Sequence, residues 1–243
     1  MQARTQNYNQ QSMTPARIAE LLEPYVGSPE AGSLKPEAVK SILTYIDILQ
    51  SWNRRINLTA IRNQEEILTR HFGESLLAAR TLFPLCSPVS SVVKAFPSTN
   101  DRLTVADIGS GAGFPGIPIK LWAPQIHLTL IESNHKKSTF LREVIRALTL
   151  TDINIRNTRA ESLAENFDVV TLRAVEHFES ILPIAARLVA PEGRLALLIG
   201  QSQLLTARQL LPTLTWNPPI PIPGSNARTL AVAHQQASQE SKE

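Results

Sequence analysis

The residues with the clearest chemical meaning surround a glycine-rich turn. The apolar segment 104–107 predicts a strand that ends at Asp107. Three glycines follow it at every second position: Gly109, Gly111 and Gly113. Glycine allows a sharp turn and lets a ligand lie directly against the backbone. About twenty residues further on, the apolar run 127–131 ends in the carboxylate of Glu132. A glycine-rich turn, a helix, a second strand and an acid form the layout of a nucleoside cofactor site.

The glycines fit two kinds of cofactor site. Gly111, Gly113 and Gly116 match the Gly-x-Gly-x-x-Gly pattern of nicotinamide dinucleotide sites, where a pyrophosphate lies at a helix N-terminus. That register leaves Gly109 unexplained and moves the start of the helix beyond Pro115. The register that starts at the end of the strand, Asp-x-Gly-x-Gly-x-Gly, fits better. A turn with no ligand remains a third interpretation of these glycines.

In the better register the turn resembles motif I of the class I S-adenosylmethionine-dependent methyltransferases. The resemblance implies that Glu132 accepts hydrogen bonds from both ribose hydroxyls, a role that suits a carboxylate. It also implies that Ala160 and Glu161, which follow the third predicted strand, lie beside the adenine. The strand 167–172 ends where such enzymes hold the methyl group, so Arg173 is expected at the substrate. A surface arginine is the alternative interpretation of Arg173.

Strands and helices alternate from residue 103 onward. The predicted strands are 103–108, 127–131, 153–157, 167–172, 194–199 and 229–233, and the predicted helices are 116–122, 135–148, 178–189 and 202–211. This alternation predicts an α/β fold with a mostly parallel sheet covered on both faces. The resemblance implies a Rossmann-like sheet of seven strands. The Pro-rich segment 216–224 predicts an exposed connection near a sheet edge.

The N-terminal third has a helical pattern instead. Apolar residues recur at three- and four-residue spacing, which predicts helices from Pro15 to about Leu22, from 36 to about 55 and from 65 to 80. The N-terminal helical region is thus an extension of the methyltransferase domain. We divide the chain into a disordered tail 1–13, the helical region 14–84, a Ser/Pro-rich linker 85–102, the Rossmann-like domain 103–234 and a polar tail 235–243.

The composition of the chain limits the classes of protein to which it can belong. The chain has 243 residues, of which 43% are hydrophobic, enough for one large domain or for one domain plus a small one. It has no run of 18 apolar residues, which argues against a membrane span. Its one cysteine, Cys86, excludes an internal disulfide and any cysteine-based metal site, and we expect no metal. The low cysteine content favours a reducing, cytoplasmic location.

Positive charge is concentrated just after the cofactor motif. The net charge is +3, and segment 134–159 holds six basic residues but only Glu143 and Asp152 as acids. A basic surface beside a cofactor site indicates a polyanionic substrate, although a solvated helix face would look similar. We expect five of the six basic residues to bind phosphates of this substrate: Lys136, Lys137, Arg142, Arg146 and Arg159.

Together these segments resemble one family, the 16S ribosomal RNA guanine-N7 methyltransferases, also called the glucose-inhibited division protein B family. The resemblance is carried by Trp52-Asn53, 56–61, His71, 75–76, 107–118, Lys136, 140–141, 159–161, 173–174 and 200–201. Motif I alone identifies a methyltransferase. The run Gly-Phe-Pro-Gly-Ile-Pro, together with the Trp-Asn and Asn-Leu-Thr residues upstream, is far more specific.

The family resemblance assigns roles to individual residues. It implies cofactor contacts at Gly109, Phe114, Ala160, Glu161 and Arg173. It implies that the partner is small-subunit ribosomal RNA or the assembling small subunit, and we expect a monomer that binds no membrane. His71 is interpreted as a packing or capping residue rather than a catalytic one.

One position departs from the family pattern. The family usually has a lysine before the Gly-Gln of the fifth strand, and this chain has Ile199 there. Either another basic group such as Arg228 replaces the missing charge, or RNA affinity is reduced.

The implied reaction needs little acid–base chemistry. Guanine N7 carries a lone pair and no proton, so its methylation requires alignment but no general base. Arg173 is the expected catalytic residue, and it would engage an acceptor such as O6, a phosphate or the cofactor carboxylate. Three alternatives stay open: a class I methyltransferase for a small molecule or a protein, a nicotinamide-dependent oxidoreductase, and an RNA-binding module with a vestigial cofactor site.

Overall fold

The fold is built on one mixed sheet. The computed structural model describes residues 13–27, 35–84 and 102–235. The strands in these ranges are β1 (Thr104–Ile108), β2 (His127–Ile131), β3 (Ile153–Arg156), β4 (Phe167–Arg173), β5 (Val189–Gly200), β6 (Thr215–Trp216), β7 (Ile220–Pro221) and β8 (Arg228–His234). Their order is β3-β2-β1-β4-β5-β8-β6, and β7 also pairs with β8.

Strands β1 to β5 pair in parallel, and β8 is antiparallel to β5. The chain builds the sheet outward from β1 through β2 to β3, then returns to place β4 on the other side of β1. In open α/β sheets, ligands bind at such a switch point, outside the carboxyl ends of the strands. The glycine-rich turn starts directly at this point, after β1.

Eight α-helices surround the sheet in the described ranges. They are α1 (Pro15–Val26), α2 (Pro36–Asn53), α3 (Gln64–Glu66), α4 (Glu74–Leu82), α5 (Gly116–Trp122), α6 (His135–Ala147), α7 (Phe178–Arg187) and α8 (Gln201–Leu210). The predicted helix 116–122 is confirmed, and the helices predicted at 36–55, 135–148, 178–189 and 202–211 lie within two residues of their predicted bounds. Helix α1 continues to Val26, beyond its predicted end, because Pro24 is accommodated within it.

The helix predicted at 65–80 exists but is not uniform. A π-helical turn, Ile67–Gly73, separates α3 from α4, and we call it the π segment. Tertiary packing accompanies this irregularity, because Gly73 lies against the ring of Tyr25, where a Cβ would come within 2.7 Å of Cε2. π-Helical turns inside α-helices are frequent at functional sites.

The N-terminal helices share a hydrophobic core with the sheet. Buried residues of α1, α2, the π segment and α4 pack with α5, α6 and one face of the sheet. A second core covers the opposite face beneath α7 and α8. Tyr45 of α2, Phe72 and Phe140 are among the largest fully buried side chains. The N-terminal helices are therefore packed directly on the motif-bearing side of the fold.

Four sequence predictions need correction. In the part of the chain that the structure describes, the sheet has eight strands rather than the implied seven, because the segment after α8 adds the two short strands β6 and β7. The Pro-rich segment 216–224 is not a simple connection, because Trp216 and Ile220–Pro221 pair with β8 at the sheet edge, where proline is tolerated. Strand β5 starts at Val189 rather than 194, because Val189 pairs with Phe167 before a bulge. Met13, assigned to the N-terminal tail, packs partly against the core.

Several predictions concern parts of the chain that lie outside the described residues. These are residues 1–12 of the tail, nearly all of the 85–102 linker including Cys86, and 236–243 of the C-terminal tail. Within the described ranges, no helix is long and apolar enough to cross a membrane.

Candidate cofactor and substrate site

The glycine-rich turn adopts a backbone that requires glycine. Gly109, Gly111 and Gly113 have φ values of +65°, +55° and +82°, a region that side chains disfavour. A Cβ on Gly109 would lie 2.9 Å from Val175, and one on Gly113 would collide with the hydroxyl of Tyr45. The three glycines thus serve the turn, and Gly113 also permits the close approach of Tyr45 of α2.

Asp107 anchors the two ends of this turn. Its carboxylate is fully buried, and it accepts hydrogen bonds from the Thr171 hydroxyl at 2.9 Å and the Gly116 N–H at 3.2 Å. Burial raises the pKa of Asp107 to about 6, although these hydrogen bonds and the charge of Arg173 act in the opposite direction. The residue ties β1 to β4 and to the start of α5.

The raised pKa of Asp107 predicts a dependence of stability on pH. A carboxyl group with a higher pKa in the folded state stabilises the fold at low pH, and this contribution is lost as the pH rises through about 6. An asparagine at this position does not titrate, so the Asp107→Asn variant keeps its stability while wild type loses this contribution. Denaturant unfolding should therefore show that the free energy of unfolding of Asp107→Asn, minus that of wild type, rises by about 1–1.5 kcal/mol from pH 5 to pH 8. A constant difference between the two proteins over this range would contradict the prediction.

Glu132 lies where a ribose-binding acid is expected. Its Oε2 accepts from the Gly111 N–H at 2.8 Å, and its Oε1 accepts from the Asn134 N–H at 2.7 Å. The residue is only 6% exposed, and it bridges the turn after β1 and the turn after β2. Each carboxylate oxygen retains a second acceptor site. The arrangement fits the two hydroxyls of a nucleoside ribose.

The adenine segment and the strand end complete the rim of this site. Ala160 is buried and opens a single 3-10 turn, Ala160–Ser162, shortly after β3, whereas Glu161 is exposed. Arg173 is the last residue of β4. These residues follow strands of the parallel sheet at its carboxyl edge, where the glycine-rich turn also lies.

Phe114 is held in a stack of aromatic rings. It is nearly parallel to Tyr45, with centroids 5.3 Å apart, and to His71, with centroids 4.8 Å apart. Phe72 meets it edge-on at 5.1 Å. The Tyr45 hydroxyl also donates to the carbonyl of Ala112 in the glycine-rich turn. The N-terminal helices therefore shape the cofactor turn directly.

Arg173 makes a network of hydrogen bonds with the π segment and α4. Its Nη1 donates to Nδ1 of His71 at 3.0 Å, and its Nη2 donates to the Arg70 carbonyl at 2.8 Å and to Oε2 of Glu74 at 3.2 Å. The side chain is 12% exposed. The surface interpretation of Arg173 is therefore wrong, because the guanidinium is enclosed by the N-terminal helices.

Glu74 pairs with a second cation. It is 3% exposed, and its Oε1 lies 2.9 Å from Nη2 of Arg228. Arg228 stands opposite Gly200 in the β5–β8 ladder, beside the pair of Ile199 and Thr229. The cation of Arg228 thus lies next to Ile199, the position where the family usually has lysine. Glu74 neutralises part of the Arg228 charge.

The five basic residues expected to bind RNA are free. Their side chains have no hydrogen-bond or ion-pair partner within the described ranges, and all are exposed except the half-buried Lys137. The sixth basic residue of the segment, Arg156, pairs instead with Glu165. Lys136 and Lys137 lie in the first turn of α6, shortly after Glu132, whereas Arg142 and Arg146 line a groove against Asn154 of β3.

Sequence reasoning missed part of this site. It treated His71 as a packing residue and gave no role to Tyr45 or Glu74, all of which contact predicted site residues. For His71 and Thr59 the signal was present, because both lie in segments that carry the family resemblance. Nothing in the sequence pattern singled out Glu74, a charged residue on an apolar helix.

The known sequences that match this chain belong to one family. Residues 38–213 match the sequence profile of the family described as GidB, rRNA small subunit methyltransferase G. The protein of Roseiflexus castenholzii named ribosomal RNA small subunit methyltransferase G is 35% identical over 216 residues, covering 82% of this chain and 84% of that one. The protein of the same name from Xylella fastidiosa is 38% identical over 164 residues, covering 67% and 69%.

Solved structures show the same fold at low identity. Magnesium protoporphyrin IX methyltransferase from Synechocystis, determined with bound SAM, aligns with a TM-score of 0.58 and 12% identity over 79% of this chain and 97% of that one. A ribosomal protein methylase from Lactobacillus delbrueckii aligns with a TM-score of 0.54 and 15% identity over 72% and 81%. This likeness shows the fold alone, and it confirms the predicted class I methyltransferase architecture.

Proposed function

This chain belongs to the rRNA small subunit methyltransferase G family, and from that premise we propose that it transfers a methyl group from S-adenosylmethionine to N7 of a guanine in small-subunit ribosomal RNA. One observation carries the proposal. The Glu132 carboxylate is hydrogen-bonded to a turn of three glycines with positive φ, at the switch point of a methyltransferase fold.

The residues around the turn are suited to hold the cofactor. Glu132 would bind the ribose hydroxyls, Ala160 and Glu161 would flank the adenine, and the backbone at Gly109, Gly111 and Gly113 would lie against the amino-acid portion. Phe114 and Arg173 would border the reacting end. Bound S-adenosylmethionine supplies an electrophilic methyl group on a sulfonium.

The chemistry at guanine N7 matches the groups present. N7 attacks with its own lone pair and loses no proton, so no general base is required. His71 is the histidine closest to Arg173, and it cannot serve as one, because its Nδ1 lone pair accepts from Arg173. Burial, reinforced by the charges of Arg173 and Arg70, also lowers the pKa of His71 to about 3. Catalysis would rest on alignment, which can contribute on the order of 7–11 kcal/mol.

The free cations of α6 support an RNA substrate. A side chain without an internal partner can bind a phosphate without first breaking an ion pair. Lys136 and Lys137 lie near the cofactor acid, and Arg142 and Arg146 extend the same basic surface along α6 toward the edge strand β3. Arg159 adds a cation directly before the adenine segment. The surface would follow an RNA backbone leading to the guanine.

Salt dependence tests this surface. Each phosphate contact contributes about 0.7–0.9 to the slope of log K against log salt, so Lys136→Ala combined with Arg146→Ala should reduce the slope by about 1.4–1.8. Arg208→Ala is the matched control, because Arg208 is an exposed residue of the distant helix α8. An unchanged slope in the double variant would show that the phosphates lie elsewhere.

The reaction itself is tested by nucleoside mass spectrometry. The chain is incubated with methyl-deuterated S-adenosylmethionine and either free small-subunit RNA or small subunits from cells lacking the modification. The expected product is deuterated 7-methylguanosine from at least one of the two substrates. Label in protein, in a small molecule or in another nucleoside would overturn the proposal, and so would a melting temperature raised by NADH but not by S-adenosylhomocysteine.

A further inference from the structure

His71 occupies a central place among the proposed site residues. It lies in the π segment, its ring stacks on Phe114, and each ring nitrogen has a polar partner. Nε2 lies 2.8 Å from the hydroxyl oxygen of Thr59, and Nδ1 lies 3.0 Å from Nη1 of Arg173. The loop before α3 and the end of β4 therefore meet at one imidazole.

These partners determine the tautomer of His71. An arginine can only donate hydrogen bonds, so Nδ1 of His71 must accept and carry no proton. The proton of the neutral ring then lies on Nε2 and is donated to the Thr59 hydroxyl. The two positive neighbours, Arg173 and Arg70, oppose a second proton on the ring. The ring is thus a neutral group with one donor and one acceptor in defined places.

Thr59 is itself held by the sequence segment that was most specific for the family. Oδ1 of Asn53 accepts from the N–H groups of Leu58 and Thr59, and Nδ2 of Asn53 donates to the Thr59 carbonyl. The Thr59 hydroxyl also accepts from the N–H of Ile61. This loop presents a fixed oxygen to His71, and it does so through Asn53 of the Trp-Asn pair and Leu58 and Thr59 of the Asn-Leu-Thr run.

The network leaves part of Arg173 available. Three of its five N–H groups are used by His71, the Arg70 carbonyl and Glu74. Its Nε–H and one Nη1–H have no hydrogen-bond partner in the described part of the chain. A guanidinium that is held by three hydrogen bonds and keeps two unused N–H groups is preorganised to donate to a substrate or cofactor acceptor.

We propose that His71 is a positioning residue for methyl transfer, which holds the Arg173 guanidinium and the Phe114 ring in one arrangement while the Thr59 hydroxyl anchors its Nε2–H. The inference rests on the proposed function of Arg173 and Phe114. His71 acts through these two residues and touches neither the methyl group nor the base.

A matched pair of variants at Thr59 tests the anchor at Nε2. Thr59→Ser keeps the hydroxyl, whereas Thr59→Val removes it at similar volume. In Thr59→Val the Nε2–H loses its acceptor, so the ring is held less firmly and its Nδ1 positions Arg173 less well. We expect kcat for methyl transfer to fall at least about fivefold in Thr59→Val, to stay within twofold in Thr59→Ser, and the KM for RNA to stay within threefold in both, because RNA binding uses other residues.

His71→Phe tests the ring directly. It keeps an aromatic ring beside Phe114 but removes the acceptor for Arg173, so kcat should fall at least about tenfold. Thr69→Val is the control, because Thr69 lies in the same π segment and its hydroxyl bonds only to backbone carbonyls of Glu65 and Glu66. It should leave kcat and the melting temperature close to wild type.

Nitrogen-15 NMR of the imidazole provides a readout independent of activity. The wild-type spectrum should show a neutral His71 with protonated Nε2 and bare Nδ1 from pH 5 to pH 8, and Thr59→Val should shift the Nε2 resonance because its hydrogen bond is lost. A protonated Nδ1 in wild type, equal rates for Thr59→Ser and Thr59→Val, or a His71→Phe variant with wild-type kcat would each overturn the inference. If wild type methylates no RNA, the proposed function fails. The NMR spectrum still tests the hydrogen bonds of His71, because it does not depend on activity.

Discussion

Replacing Glu132 with alanine should raise the dissociation constant of S-adenosylhomocysteine at least about 100-fold, because two charge-assisted hydrogen bonds to the ribose hydroxyls are lost at roughly 1.5–3 kcal/mol each. The change also removes the acceptor for the N–H groups of Gly111 and Asn134. The glycine-rich turn then loses its tie to the end of β2, and this weakens the site further. Isothermal titration calorimetry measures the effect.

Two variants make the Glu132 experiment specific. Glu132→Gln retains the size of the side chain, but its amide N–H₂ would face one of the two backbone N–H groups, so binding should also be weak. Glu165→Ala is the control, because Glu165 is an exposed acid that pairs with Arg156 outside the site. Binding within threefold of wild type in a folded Glu132→Ala protein would show that this acid does not hold the ribose.

Replacing Arg173 with alanine should lower the rate of methyl transfer at least about 100-fold, the effect expected when one preorganised donor is removed from a reacting centre. Arg173→Lys should recover little, because a lysine cannot reproduce the planar fork that meets His71, Glu74 and the Arg70 carbonyl together. Single-turnover rates with saturating cofactor separate this effect from binding. A rate within twofold of wild type would show that Arg173 has no role in the reaction.

The Arg173 variant also has a structural consequence that must be separated from catalysis. Glu74 is 3% exposed and, among the described residues, would keep Arg228 alone as a charged partner, so the fold should lose about 1–3 kcal/mol of stability. Rates of wild type and variant are therefore compared at a temperature well below the melting temperature of both proteins. If the variant then methylates RNA at the wild-type rate, the loss seen at higher temperature reflects unfolding and the catalytic assignment is wrong.

Much of the fold follows from local pattern. The strand 104–108 and the helix 116–122 are predicted closely because a buried parallel strand is apolar throughout and because the turn between them needs glycine at three positions. The Pro-rich segment 216–224 is predicted to be a connection, because proline has no backbone N–H to donate to a neighbouring strand. Its two short strands depend on β8 being placed alongside, which no local pattern reveals.

The π segment is a feature that the local sequence pattern does not predict. Periodicity predicts a continuous helix over 65–80, and an extra residue in one turn changes that periodicity very little. The irregularity fits a tertiary packing contact, in which the ring of Tyr25 takes the place that a side chain at position 73 would occupy. It also places the Arg70 carbonyl, His71 and Glu74 together around Arg173.

The sequence by itself determined the cofactor motif, the family and the acid at position 132, because backbone freedom at glycine and a carboxylate at a strand end are local properties. Only the tertiary structure decided what surrounds Arg173. Thr59, His71, Glu74 and Arg228 come from separate elements, and their hydrogen bonds and ion pairs leave no periodicity in the chain. Burial then makes these contacts strong, since enclosed charges and donors must find partners within the protein.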